Sequence, residues 1–410
     1  MKRLAKSTVV LATALLSTAA LATNGDNLIG QGPVTRGMGG LGIGLPVETD
    51  SIFKNPAWMS EYEGTIVSFG GTLFMPNVKA KVARYSGNPV MSNYEKSQAD
   101  TFLVPEIALI KKIGDNLTFG LGAFGVSGLG ADYRNKFVDP GHGNASPLAH
   151  MNTLFQYLSF VPSISYNTDG FYLGAGLNIA YGMLSIGMRD NTNKQLGGGP
   201  SSDIGTGFIV GAGYKIGIFT VGLNYQSEVA MTYERVFDRD GNGLYDDQKL
   251  NQPAEYGIGI GVNFGSLRLG ADWKQVKWSE ADGYKDFGWD DQDVIAVGAE
   301  YKSGRTTLRL GYNHGDSPIK DVDKIGAGWG SSDVQLSFMN LVGFPAIAED
   351  AYTVGLGYTF TGGFSLDFAY TYIPEATVTH KYGVSSSGDQ FEFSAKNQQD
   401  AITAAFRYNF

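Results

Sequence analysis

The sequence predicts an all-β protein: a fourteen-stranded antiparallel transmembrane β-barrel with an N-terminal hatch, or plug, in its lumen. Three observations predict it. Apolar and polar residues alternate with a period of two over long segments, which is how a strand presents one greasy and one polar face. The links between these segments alternate between very short and long, the pattern of outer-membrane barrels. A Gly-rich stretch, residues 23–63, shows neither helix nor strand period, yet carries many apolar side chains.

Residues 1–22 read as a secretory signal peptide. Lys2, Arg3 and Lys6 form a positive start, residues 4–16 are mostly apolar, and Ala20-Leu21-Ala22 is an A-x-A cleavage site, so the mature chain starts at Thr23. Beyond it no apolar run reaches the ~18 residues of a membrane helix. A chain of 410 residues could hold two soluble domains or one large closed sheet, and no composition break marks a second domain. There are no cysteines, which fits an exported protein that does not rely on disulfides. The formal charge is −9, and loss of the three leader cations makes the mature chain more acidic still. Such a chain is no nucleic-acid binder, because phosphate contacts need clustered Lys and Arg.

The hatch, residues 23–63, comes next, and Asn55-Pro56-Ala57 stands near its end. Its glycines allow close backbone approach, and Pro56 fixes φ at a bend. Eight strands leave an interior that side chains can fill, whereas sixteen or more leave a channel. Fourteen leave room for a folded segment. The alternative is a disordered periplasmic tail. Against it stand Leu28, Ile29, Met38, Leu41, Ile43, Leu45, Ile52, Phe53, Trp58 and Met59, too apolar for a solvated tail.

The barrel, residues 64–410, has strands expected at 64–76, 101–113, 116–127, 153–167, 170–188, 204–217, 218–233, 254–264, 266–278, 292–302, 305–314, 350–360, 363–380 and 391–410. Many reach the ~9–11 residues that cross a bilayer at a tilt, and the number is even, as in bacterial barrels. In 218–233, Phe219, Val221, Leu223, Tyr225, Val229, Met231 and Tyr233 fall on one face. Phe364, Leu366, Phe368, Tyr370 and Tyr372 repeat the pattern. Tight links such as Thr168-Asp169 and Ser303-Gly304 alternate with long loops, which should lie outside. The last strand alternates through Ile402, Ala404, Phe406 and Tyr408 to a terminal Phe410, which resembles the signal read by the outer-membrane barrel-assembly machinery.

Residues 30–64, with G-Q-G-P-V-T-R-G-M-G-G and D-S-I-F-K-N-P-A-W-M, resemble the hatch of the FadL-type long-chain fatty acid and hydrocarbon transporters. Asn55, Pro56 and Ala57 match that family's hatch motif, and Arg36 lies in the same block. Weaker likenesses, such as Phe119-Gly120-Leu121-Gly122 and Phe344-Pro345-Ala346-Ile347, extend over nearly the whole mature chain. The resemblance implies a fourteen-stranded barrel with a hatch, in the outer membrane of a Gram-negative bacterium and acting as a monomer. It implies passive uptake of an apolar ligand: capture by outer loops, binding in the lumen, and lateral exit into outer-membrane lipid at an inward kink of the third strand. Here the kink maps to Gly120, Gly122, Gly125 and Gly128, and glycine in a strand marks a bulge or close approach. The alternative is that these glycines only make room for the hatch.

Apolar loop residues Leu148, Met151, Phe338, Leu341, Phe344 and Ile347 are the expected capture surface, or else simple loop packing over the mouth. Residues 146–151 could form one helical turn. Arg309, Lys274, Arg268 and Arg407 face the lumen by parity, and Arg309 and Lys274 are candidate partners for a ligand carboxylate; pairing with Asp272, Glu228, Asp367 or Glu300 is the competing reading. Asp238, Asp240, Asn242 and Asp246 resemble the first half of a calcium loop, but position 12 is Lys249, so an ordinary turn competes with calcium. Histidines at 142, 150, 314 and 380 show no metal-ligand spacing, and no catalytic residue or other cofactor is expected. A general diffusion porin for polar solutes, and an outer-membrane Ser-His hydrolase assembled in space, are the alternatives to transport of hydrophobic compounds.

Overall fold

The computed structural model describes residues 24–85, 90–136, 146–190, 192–383 and 388–410. The proposed leader peptide, Thr23 and His142 lie outside the described residues. Fourteen long strands form the wall: β1 (Thr65–Arg84), β2 (Phe102–Lys112), β3 (Leu117–Leu129), β4 (Asn152–Thr168), β5 (Phe171–Gly187), β6 (Ser201–Ile216), β7 (Phe219–Gln226), β8 (Glu255–Asn263), β9 (Leu267–Val276), β10 (Gln292–Ser303), β11 (Thr306–Gly315), β12 (Asp350–Thr359), β13 (Phe364–Gly383) and β14 (Gln390–Asn409). Each pairs antiparallel with the next. β1 pairs with β14 from Ile66↔Asn409 to Arg84↔Phe391, so the sheet closes and keeps no free edge. Phe410 fastens the seam through backbone bonds with Thr65 of 2.9 and 3.0 Å.

The alternation decides which face meets lipid. On β11, Leu308 and Leu310 are 52% and 62% exposed, whereas Arg309 between them is 3% exposed. Phe219, Val221, Leu223 and Tyr225 on β7, and Phe364, Phe368, Tyr370 and Tyr372 on β13, are outward in the same way. A barrel of this kind keeps a polar interior and an apolar outer band.

Two strand limits differ from the sequence expectation by more than three residues. The strand predicted over 218–233 leaves the wall at Gln226. Val229, Met231 and Tyr233 then change sides and are buried, because above the lipid an apolar side chain gains only by packing inward. Thr232–Phe237 instead pairs with Asp246–Lys249 in a separate hairpin. β1, expected to end at residue 76, continues to Arg84. Pro76 does not stop it, because the β1–β2 ladder already ends at Phe74↔Phe102 and only β14 is beside it there. A proline is tolerated where one side of the strand carries no ladder.

The segment before β1 lies inside this wall. Every residue from 24 to 60 except Glu48 is buried. Its regular parts are short: helical turns at Pro33–Gly37 and Ser51–Lys54, and 3-10 turns at Glu48–Asp50 and Pro56–Glu61. The segment as a whole packs against inward residues of the wall, including Gly174, Gly211, Gly222, Gly259, Gly311 and Gly355.

Candidate functional site

Asn55, Pro56 and Ala57 form a docking corner. The Asn55 amide Nδ2 donates to the Ile43 carbonyl at 2.9 Å and to the Ala212 carbonyl of β6 at 3.2 Å. Its Oδ1 accepts from Ala57 N at 3.2 Å, capping the 3-10 turn that Pro56 begins. The wall makes room for this corner with glycine. A Cβ on Gly211 would lie 1.9 Å from Asn55 Oδ1, and one on Gly222 would lie 1.8 Å from the Ile43 carbonyl oxygen. Nearby, the Asp272 carboxylate of β9 accepts from three successive backbone amides, Gly42, Ile43 and Gly44, at 2.8, 2.8 and 2.9 Å. Parity placed Asp272 in the lumen, but as a partner for a cation. It serves backbone instead.

The third strand is divided in two. Its first half pairs regularly with β2 as far as Phe124↔Glu106, and Gly120 and Gly122 lie in that regular part. A Cβ on Gly120 would strike Met59, and one on Gly122 the Phe124 ring, so both give space to inward packing. After Phe124 the strand parts from β2 while staying on β4, with a bulge between Gly125 and Ser127. Bulges bend the strand that carries them. From Phe124 to Leu129 every residue is buried, so the alternation is lost and both faces are inside. The freed backbone groups bond to the N-terminal segment instead. Leu28 N donates to the Val126 carbonyl at 2.9 Å, and Gly128 N donates to the Asp26 carbonyl at 3.1 Å. Gly125 and Gly128 therefore belong to the inward turn, and Gly120 and Gly122 precede it. Val104 of β2 faces Gly125 across the parting, where a Cβ would lie 3.6 Å from the Val104 Cβ.

Beside that turn lies a cavity of about 30 Å³. Leu28, Ile43, Phe53, Val126 and Val294 give it apolar walls, and Lys54, Lys274, Glu255 and Asp272 bring charge. Lys274, a candidate carboxylate partner, is held by Glu255 at 2.8 Å. Arg309 is held by Glu300 at 2.8 Å and Asp367 at 2.7 Å. Arg268 reaches Glu300 at 2.8 Å, and Arg407 reaches Asp367 and Glu48. Arg36 is fully buried in the N-terminal segment, its charge facing Glu106 and Asp50, with Nε and Nη2 lacking hydrogen-bond partners. Lys54, which sequence reasoning did not single out, donates to the Ile29 carbonyl at 2.9 Å. Burial, with Lys274 nearby, brings its pKa down to about 7. The signal was its place directly before the Asn-Pro-Ala motif.

The expected capture residues do not form an exposed surface. Leu148, Met151, Leu341, Phe344 and Ile347 are buried, and Phe338 is half-buried. They join one apolar cluster over the inner mouth with Phe124, Val126, Leu129 and Phe155. Burial wins because these side chains are long and apolar and the mouth is wide enough to receive them. Residues 147–150 make a hydrogen-bonded turn and no helix, since Ala149 and His150 take left-handed φ values of 50° and 49°. Beneath the loop 277–291, Trp278, Tyr284 and Trp289 pack with ring centroids 4.6 to 5.2 Å apart, and the Tyr284 hydroxyl bonds to Asp26.

Asp238 accepts from Lys194 Nζ and Gly243 N, both at 3.0 Å, while Asp240 accepts from Asn242 and Asp246 accepts from Arg239 N. The four calcium candidates thus make turn contacts within and around the loop. Ser337 Oγ lies 2.7 Å from His380 Nδ1 and 2.8 Å from the Tyr382 hydroxyl, with both Ser337 and His380 buried.

A family model described as outer membrane protein transport protein (OMPP1/FadL/TodX) matches residues 9–325. The crystal structure of a Pseudomonas aeruginosa FadL homologue superimposes with a TM-score of 0.72 at 18% identity, over 94% of this chain and 100% of that one. The P. putida toluene transporter TodX gives 0.66 at 16% identity, over 93% and 99%. The Ralstonia pickettii toluene transporter TbuX gives 0.63 at 18%, again over 93% and 99%. At these identities the likeness speaks to the fold. No curated protein matches the chain in sequence.

Proposed function

The chain belongs to the outer membrane protein transport family (OMPP1/FadL/TodX), with its barrel in the outer membrane, and from that premise we propose that it passes hydrophobic compounds, long-chain fatty acids or hydrocarbons, inward across that membrane. A ligand enters through the apolar cluster of the mouth, reaches the cavity beside the bulge of β3, and leaves sideways between β2 and β3. Residues 23–63 act as the hatch that closes the direct route.

The observation that carries this reading is the parting of β3 from β2 beyond Phe124, with its backbone groups bonded to residues 26–28 of the N-terminal segment. A wall that opens to lipid suits an apolar cargo, which gains nothing from a water-filled pore. Solved neighbours that are toluene transporters favour hydrocarbons as one cargo class. A general diffusion pore needs an open lumen, and here the N-terminal segment occupies it.

The test is uptake of labelled oleate, hexadecane and toluene in cells without their own transporter. Uptake of at least one, well above the empty-vector level, is the expected result. Uptake of none, with a polar sugar passing freely, would favour the porin.

A further inference from the structure

We infer that Asp50 of the N-terminal segment and Glu106 of β2 hold one proton between them, and that this proton fastens the segment to the wall where β2 and β3 part. It concerns how the lumen is closed, whatever the barrel carries.

Buried charge is matched everywhere around the pair except at the pair itself. Arg268, Arg309 and Arg407 hold Glu300, Asp367 and Glu48 in ion-pair contact, three cations against three carboxylates. At the cavity, Lys54 and Lys274 stand against Glu255 and Asp272. Arg36 alone remains for both Asp50 and Glu106, and all three are buried. Two carboxylates and one guanidinium out of water leave one negative charge uncompensated, and a proton on one carboxylate removes it.

The geometry brings the two carboxyl groups together. A Cβ on Gly32 would lie 2.4 Å from Asp50 Oδ1 and 2.8 Å from Glu106 Oε1. The two oxygens are therefore inside the ~4–6 Å over which like charges act strongly on one another. Their donors differ. Asp50 Oδ2 accepts from Thr35 N at 3.2 Å and from Thr35 Oγ1 at 2.9 Å. Glu106 Oε1 accepts from Ser68 Oγ at 3.2 Å, and its Oε2 has no partner. Hydrogen bonds to a carboxylate favour the ionised form, so the proton sits mainly on Glu106.

The other groups that face the pair do not supply the missing charge. Asp367 of β13 adds negative charge to both. Lys54 also faces Asp50, but Glu255 and Asp272 act on it more strongly. Tyr62, which faces Asp50 as well, is kept neutral by burial. Burial pushes the Asp50 pKa up, against the pull of Thr35 and Arg36.

The place of the pair gives it a task. Asp50 ends the 3-10 turn Glu48–Asp50 of the segment. Glu106 lies opposite Phe124, the last β2–β3 pair before the parting. Without the proton, two buried carboxylates repel across the joint between segment and wall. Docking is firm while the proton is held and weakens as pH rises above the ordinary carboxylate range. Release of one proton on undocking favours the undocked state roughly tenfold per unit of pH until the docked pair has itself ionised.

The test is infrared spectroscopy of the detergent-solubilised full-length barrel at neutral pH, read at the carbonyl stretch of a protonated carboxylic acid. The wild type should show that band. Glu106→Gln should reduce it by the intensity of one carboxyl. Asp50→Asn should reduce it equally although Glu106 is intact, because a single carboxylate facing Arg36 ionises. Planar-bilayer conductance gives the second readout. It should rise severalfold with pH in the wild type and stay low in Glu106→Gln, whose amide is neutral throughout. No such band in the wild type would overturn the inference, whether or not the variants fold. So would a band unchanged in Asp50→Asn, since burial alone would then protonate Glu106. A Glu106→Gln barrel that opens with pH as the wild type does would also overturn it. None of these readouts involves a cargo, so they fail or succeed separately from the uptake test.

Discussion

Asp272 shows how much one side chain can hold in place. Its carboxylate gathers three adjacent amides of the luminal segment, and hydrogen bonds to charged groups contribute ~1.5–3 kcal/mol each. Asp272→Ala should leave those amides unpaired and free the turn around Ile43. Amide exchange at Gly42, Ile43 and Gly44 should then rise by at least about tenfold, as a loss of ~1.4 kcal/mol or more requires, while the strands of the wall stay protected.

At the scale of the element, β3 combines two habits in one strand. Its first half alternates and pairs, while its second half turns inward and takes residues 26–28 as partner. The four glycines between 120 and 128 marked it in the sequence. What they could not mark is that two of them accommodate packing and two sit at the turn, because that depends on which chain lies across the lumen. The geometry at the parting offers a direct test. The chain has no cysteine, and the 3.6 Å between the Val104 Cβ and a Cβ on Gly125 falls in the ~3.5–4.5 Å range of disulfides. The Val104→Cys, Gly125→Cys double variant should form that bond under oxidising conditions and tie β2 to β3. Uptake should drop several-fold and return on reduction. Undiminished uptake by the fully cross-linked protein would mean that the ligand does not leave there. β7 teaches a related lesson. The alternation Phe219 to Tyr233 looked unbroken, yet the wall ends at Gln226, because a period of two does not report where lipid gives way to the enclosed mouth.

At the scale of the whole molecule, the closed wall and its filled lumen are two parts with separate tasks. Deleting residues 23–61 should leave a closed β1–β14 seam, since that pairing uses only wall residues, and should convert a barrel of low conductance into an open pore in planar bilayers. Unchanged conductance would refute the hatch. The sequence by itself determined the barrel: the period of two set the strands, the alternation of short and long links set their orientation, and the apolar yet aperiodic residues 23–63 implied a buried segment. These are local signals, because lipid and lumen sort side chains residue by residue along each strand. Only the tertiary structure decided the site. Whether Arg309 and Lys274 are free or matched by Glu300, Asp367 and Glu255, and whether Phe344 is offered to a ligand or buried, depends on partners far away in the chain. The physical reason is that charge pairing and packing across a lumen join residues far apart in the chain and leave no period in the sequence.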